Sequence, residues 1–222
     1  MYDVSGLGFV SADRMPDKPK GTFRFPGAIG EFLGDQQRFR SQIIIEGEYH
    51  SSKSELAKQI ADAAIEMGMR VALVDWEQGG LDSKDTVDSI ARNLKPANRS
   101  KLFVSGDVPK TKAGLEQIAN SFDIVLVDSG TKVKAMANDW LDDLRMDYPN
   151  TIWVILMQRN SDGKTRGGSS AGYNAPVVIF TYRPDKTDYR NNYARMEKNR
   201  GNSQTMQMIY NIPARKVTIQ NQ

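Results

Sequence analysis

The sequence predicts an α/β fold of three layers, with a mostly parallel central sheet and antiparallel hairpins toward the C-terminus. Three observations predict it. Short apolar runs alternate with stretches of helical period over residues 42 to 158, the pattern of strands joined by helical crossovers. The runs show almost no polar alternation, as strands buried on both faces should not. After residue 174 the apolar runs follow one another with short connections, which suits hairpins.

Residues 1–25 are rich in Gly, Pro, Asp and Lys, without a sustained period. They read as a tail or linker, and 26–222 as one core domain. "FRFPGAIGEFLG", Phe23 to Gly34, is expected to pack on the core and lead into the first strand. The predicted parallel strands are "QIIIEG" (Gln42 to Gly47), "RVALVDW" (Arg70 to Trp76), "KLFVSG" (Lys101 to Gly106), "DIVLVDSG" (Asp123 to Gly130) and "TIWVILMQ" (Thr151 to Gln158). Between the first two, Leu56, Ile60, Ala63, Ala64 and Met67 recur at helical spacing, and Gly68 is a natural stop. "SKDTVDSIARNL", "KAGLEQIANSF" and "AMANDWLDDLRMDY" fill the later gaps as helices. "APVVIFTYR", "YARMEKN", "TMQMIYNI" and "KVTI" are the hairpin strands.

Composition narrows the function. The 222 residues suffice for one sizeable core. There is no Cys, which excludes disulfides and thiolate metal sites. The single histidine, His50, argues against a His-rich metal site or a Ser-His-Asp triad. The apolar runs are too short to span a bilayer, and the N-terminus lacks the basic start and apolar stretch of a signal peptide. A cytoplasmic protein without a membrane partner is the expectation. A net charge of +3 permits nucleic acid binding without demonstrating it.

"GEYHSSKS" (Gly47, Glu48, Tyr49, His50, Ser51, Ser52, Lys53, Ser54) joins the first strand to the first long helix. It follows the phosphate-loop pattern except that Ser52 replaces the second Gly. Backbone N–H groups and the helix N-terminus would cradle phosphates there. Lys53 would reach the β- and γ-phosphates of ATP, and Ser54 would hold Mg²⁺. The plainer alternative is an ordinary turn with Ser51 or Ser52 as N-cap. If Ser52 adopts a left-handed conformation, the cost is about 1–2 kcal/mol. That weakens affinity about tenfold without abolishing the site, so Ser52→Gly is expected to tighten binding or raise turnover.

Two strand-end acids reach the same sheet edge. Asp128 closes "IVLVD" where an acid could orient Mg²⁺ through its water shell, and Glu77 closes "VALVDWE" where it could polarise an attacking water. Strand alternation puts Asp75 and Glu77 on one side, so it does not choose between them.

From about Phe25 to Ser203 the chain resembles the RecA-like P-loop ATPase core, most like RadA-type and DnaB-type proteins of bacteria and phages. "GEYHSSKS" resembles their Walker A and "IVLVDSG" their Walker B. "VALVDWE" resembles the strand ending in their catalytic Glu, which favours Glu77 over Asp75. "VILMQRNSDGKTRGGSSAGYNAPVVIFTYRPD" resembles their next core strand, its sensor, a mobile loop and the strand that follows. "EKNRGNS" resembles their Lys-x-Arg-x-Gly segment. Ser52 is the departure. The zinc finger, protease-like domain and primase-binding domain of the full-length relatives have no counterpart, so the chain reads as a bare core.

The resemblance implies a homo-oligomer, a hexameric ring or a filament, hydrolysing ATP with Mg²⁺ on single-stranded DNA in replication, recombination or repair. Gln158 would sense the γ-phosphate. Lys198 and Arg200 would enter a neighbour's nucleotide site, although alone they read as a solvated basic hairpin. Arg159, Lys164 and Arg166 after the sensor, with Lys132 and Lys134 after Walker B, would face DNA, or else form two surface loops. "FVSA", Phe9 to Ala12, matches a docking segment of some recombinase relatives too short to weigh. The rivals are a degenerate, non-hydrolysing nucleotide- or partner-binding module, which Ser52 supports, and a P-loop kinase acting on a small molecule.

Overall fold

The computed structural model describes residues 12–17, 19–132, 140–159 and 174–219. Strands β3 (Gln42–Gly47), β4 (Val71–Asp75), β5 (Leu102–Ser105), β6 (Ile124–Asp128) and β7 (Ile152–Gln158) fall within the five predicted parallel runs. With β8 (Val177–Tyr182), β9 (Tyr193–Asn199), β10 (Met208–Asn211) and β11 (Lys216–Ile219) they form one sheet, ordered β5-β4-β6-β7-β3-β8-β9-β10-β11. β3 pairs in parallel with both β7 and β8, and the antiparallel part begins with β9 on β8. "APVVIFTYR" thus belongs to the parallel sheet on one side and opens the hairpins on the other.

The strands bury both faces. Ile43, Ile45, Leu73, Leu126 and Val154 enter one cluster with Leu56 and Ile60 of α2 (Lys53–Glu66). Ile44, Val74, Val127, Trp153 and Ile155 enter the other, with Leu115 of α5 (Lys112–Ala119) and Leu144 of α6 (Trp140–Asp147). Successive residues feed opposite layers, as strand geometry requires, and three layers follow. Full burial of one such side chain contributes about 1.5–3 kcal/mol.

The central helix α2 lies between the sheet, α1 (Gly27–Leu33) and α3 (Lys84–Asn93). It therefore buries polar residues too: Lys58, Gln59 and Asp62 are all buried. Asp62 accepts from the Lys95 amide at 2.9 Å and from Asn98 Nδ2 at 2.8 Å in the short helix α4 (Pro96–Arg99). Gly68 ends α2 at φ 77°, as expected. Met67, expected in the apolar stripe, instead stands at the C-cap, 38% exposed.

The stretch before residue 26 is not uniform. β1 (Thr22–Phe23) pairs with β2 (Gln36–Gln37), and Phe25 is buried. Between them α1 packs on α2 and β10, where Phe32 stacks on Tyr210 with centroids 5.4 Å apart.

Candidate functional site

β3 ends at Gly47, and its chain neighbours in the sheet bring Gln158 and Thr181 level with it on either side. A side chain at Gly47 would collide with Thr181 Oγ1 and Ser51 Oγ. Glycine is required here by close approach rather than by its φ. Ser51 is fully buried: its hydroxyl donates to the Glu48 carbonyl at 2.8 Å and shares a 2.7 Å hydrogen bond with Thr181 Oγ1. The loop is thereby fastened to β8 across 130 residues of sequence.

The loop then turns through two left-handed non-glycine residues, His50 at φ 60° and Ser52 at φ 68°. Ser52 occupies the N-cap position of α2, but makes no side-chain capping bond. An N-cap serine normally has extended backbone angles and accepts from a first-turn amide; the left-handed angles of Ser52 depart from that. Ser51 is turned toward β8. The ordinary capped turn is therefore absent, and the first-turn amides of a 14-residue helix carry no side-chain cap. Such a terminus favours an anion.

Lys53 Nζ donates to the carbonyl oxygens of Gly47 and Glu48 at 3.1 and 2.7 Å, so its ammonium lies over the loop. Burial lowers its pKa from the usual lysine value, while the charges of Asp128, Glu77 and Glu48 oppose that shift. Ser54 Oγ donates to Asp128 Oδ2 at 2.5 Å. Burial raises the Asp128 pKa, opposed by Lys58 and the Ser54 bond and assisted by Glu77 and Asp75.

Asp75 and Glu77 differ sharply. Asp75 is buried and engaged: Thr86 Oγ1 donates to its Oδ2 at 2.5 Å and the Gln78 amide to its Oδ1 at 2.9 Å. Glu77 is exposed and lines the cleft. The geometry favours Glu77 as the acid able to meet a ligand.

The loop, Glu77, Asp128 and Gln158 share a cleft of about 590 Å³. Sequence reasoning missed further lining residues, among them Arg92, Tyr189, Arg190 and Pro213. Tyr189 and Arg190 precede β9 and Pro213 follows β10, so no local motif announces them. Tyr189 lies edge-on to His50 at 6.1 Å, and the Arg183 guanidinium sits 4.8 Å over the Tyr189 ring. Arg92 is held by Glu55 at 3.0 Å. An aromatic ring, a proline and a guanidinium in the lining of the cleft suit a flat heterocycle, as the loop suits phosphate.

Ser54 and Asp128 offer hard oxygen donors of the kind Mg²⁺ accepts. Mg²⁺ takes one or two protein oxygens and completes its shell with water and phosphate.

The remaining predicted residues lie elsewhere. Arg159 follows β7, 3.9 Å from Glu46 Oε2, with its guanidinium 4.0 Å over the Phe180 ring. Lys132 is exposed beyond the carboxyl end of β6. Lys134, Lys164, Arg166 and Phe9 fall outside the described residues. Lys198 and Arg200 do not line the cleft. The Arg200 amide donates to the Pro176 carbonyl, just before β8, whereas Thr181 is level with Gly47. Five residues of strand separate those levels, about 17 Å. Burial and the nearby charges of Arg200 and Arg145 lower the Lys198 pKa.

Among solved structures the chain is similar to the flagellar accessory protein FlaH from Methanocaldococcus jannaschii, with a TM-score of 0.61 at 14% identity, over 85% of this chain and 94% of that one. The strand order, the loop between β3 and α2, and this superposition agree. The fold is that of the RecA-like P-loop ATPases. A KaiC-like protein from Pyrococcus horikoshii OT3 matches with a TM-score of 0.56 at 14% identity, over 73% of this chain and 81% of that one. The RadB recombinase matches with 0.55 at 19%, over 78% and 88%. No family model and no curated protein sequence matches. The likeness reaches the RecA-like fold and does not extend to a RadA or DnaB type, or to a bacterial or phage source. Among the described residues, no helix is long and apolar enough to cross a membrane.

Proposed function

We propose that the cleft binds ATP and hydrolyses it slowly. The observation that carries this reading is the convergence of Lys53, Ser54, Asp128, Glu77 and Gln158 on the uncapped N-terminus of α2. The triphosphate lies along the loop, held by the first-turn amides of α2 and by Lys53 once its ammonium leaves the loop carbonyls. The base lies toward Tyr189 and Pro213. Glu77 accepts a proton from the attacking water, and Gln158 hydrogen-bonds the γ-phosphate or that water. Ser54, with Asp128 through water, would hold Mg²⁺, which supplies charge neutralisation at the β- and γ-phosphates.

The finer reading is a homo-oligomer whose Lys198 and Arg200 act on a neighbour's nucleotide, working on single-stranded DNA in replication, recombination or repair. Its support is the resemblance of the motifs, the distance of Arg200 from its own cleft, and the exposed Lys132. The test is ATP turnover with and without single-stranded DNA, in wild type and Lys53→Ala. Turnover lost in Lys53→Ala and stimulated by DNA supports it. Unchanged affinity and rate in Lys53→Ala overturn the phosphate-loop assignment.

A second reading, a binding module without turnover, is favoured by the strained Ser52 at the position where the full motif has glycine. Saturable ATP binding without phosphate release would select it.

A further inference from the structure

Asn192 stands immediately before β9 and is fully buried. Its Nδ2 donates to the His50 carbonyl at 2.9 Å and to Ser52 Oγ at 2.8 Å. These are the two left-handed non-glycine residues of the phosphate loop. The amide orientation is set by chemistry, because a carbonyl acceptor at His50 requires a donor. Asn192 Oδ1 has no partner among the described residues. A buried unsatisfied acceptor is unfavourable, so the gain from this side chain lies in its two bonds to the loop. The Asn192 backbone is itself fixed: its amide donates to the Tyr189 carbonyl at 3.1 Å, and its carbonyl accepts from the Ile212 amide at 3.0 Å.

We infer that Asn192 is a positioning residue that holds the phosphate loop in its left-handed shape, doing for Ser52 what backbone freedom does for a glycine. An L-residue resists φ near 68° where glycine does not. The Ser52 hydroxyl supplies a handle that glycine lacks, and Asn192 grips it. The same grip ties the loop to the turn carrying Tyr189 and Arg190, so these two parts of the cleft lining are set together. The consequence for nucleotide affinity rests on the ATP-cleft reading; the consequence for loop shape does not.

The pair predicts an order among variants. Ser52→Gly loses the bond and the strain together, so the tightening expected from strain alone is offset, and it should bind a fluorescent ATP analogue with Mg²⁺ within about threefold of wild type. Ser52→Ala loses the bond and keeps the strain, and should bind about tenfold more weakly. Asn192→Ala should weaken binding similarly, and adding Ser52→Gly should recover most of the loss. Hydrogen exchange of the ligand-free protein gives a second readout, in which the amides of residues 50–54 should exchange about tenfold faster in Ser52→Ala and Asn192→Ala. If the wild type binds no nucleotide but loop exchange rises as stated, the ATP reading falls and the positioning role stands. If Ser52→Ala matches wild type in loop exchange, or, where the wild type binds the analogue, binds it as well as Ser52→Gly does, the positioning role is overturned.

Discussion

Ser54 Oγ and Asp128 Oδ2 meet at 2.5 Å although 74 residues separate them in sequence. The bond joins the first turn of α2 to the end of β6 and places a hydroxyl and a carboxylate at one point of the cleft. Asp128→Asn keeps an acceptor for Ser54 but removes the charge that, on the proposed reading, would orient a hydrated cation. Its expected effect is a loss of about 10- to 100-fold in apparent Mg²⁺ affinity, as for other groups that orient metal ligands. Titrating Mg²⁺ at fixed ATP, with phosphate release as the readout, measures it. A Mg²⁺ dependence identical to wild type would remove Asp128 from the metal site.

Two acids that the sequence pattern could not separate should behave differently. Glu77→Gln leaves every bond of Asp75 in place and removes the exposed carboxylate of the cleft. Turnover should fall about 10²- to 10⁴-fold while ATP affinity is retained. Asp75→Asn should do the reverse. Its acceptor bond from Thr86 is buried and that from the Gln78 amide partly so, and an amide misplaced there costs about 1–3 kcal/mol of stability. Chemical denaturation and single-turnover hydrolysis on both variants separate the roles. A stable, inactive Asp75→Asn beside an active Glu77→Gln would reverse the assignment.

The legibility of the chain follows from the range of its contacts. β3 was readable because all its residues are buried and Ile43, Ile44 and Ile45 form its centre, so the run itself states the environment. The candidate phosphate loop, as a connection from β3 to α2, was readable because its pattern lies within eight consecutive residues. α1 was not: Gly27, Gly30 and Gly34 with Pro26 suggest a loop. Gly30 is there because a Cβ would strike the Phe25 carbonyl, a packing fact no local pattern carries. Met67 misled because periodicity does not mark where a helix ends. Asn192 was invisible because its meaning lies 140 residues away, at Ser52. Tyr189 and Pro213 reach the cleft in the same way, on connections at the ends of the added antiparallel strands.

Tyr210 sets an alkaline limit on stability. Its phenol donates to Gln59 Oε1 at 2.6 Å, and burial pushes its pKa up to about 12 from the usual 10.0. The unfolded chain releases the proton first as pH rises. Between pH 10 and 12 the folded state therefore holds more protons than the unfolded state, and stability falls with pH. Below pH 10 the contribution is fully present. Tyr210→Phe should be less stable at pH 8 by about 1 kcal/mol for the lost hydrogen bond. The gap should close or reverse toward pH 12, since this deprotonation can remove about 2 kcal/mol from wild type alone. Urea midpoints for both proteins from pH 8 to 12 test this, and parallel curves would contradict it.

Arg200 provides the sharpest test of assembly. It lies about 17 Å along the strands from the level of Gly47 and does not line the cleft of its own chain. Its charge is felt by Lys198, whose pKa it helps to lower. On the proposed trans reading, Arg200 acts on an ATP phosphate bound by another copy. Arg200→Ala should then lower turnover about 10³-fold or more while leaving ATP affinity intact. Lys53→Ala should be inactive because its own cleft is disabled, yet it retains Arg200. Mixing the two inactive proteins places an intact cleft beside an intact Arg200 at some interfaces. Turnover should reappear on mixing, and should rise with total protein concentration as mixed oligomers form. An Arg200→Ala protein as active as wild type, or a mixture as inactive as its components, would leave Arg200 without a role in trans.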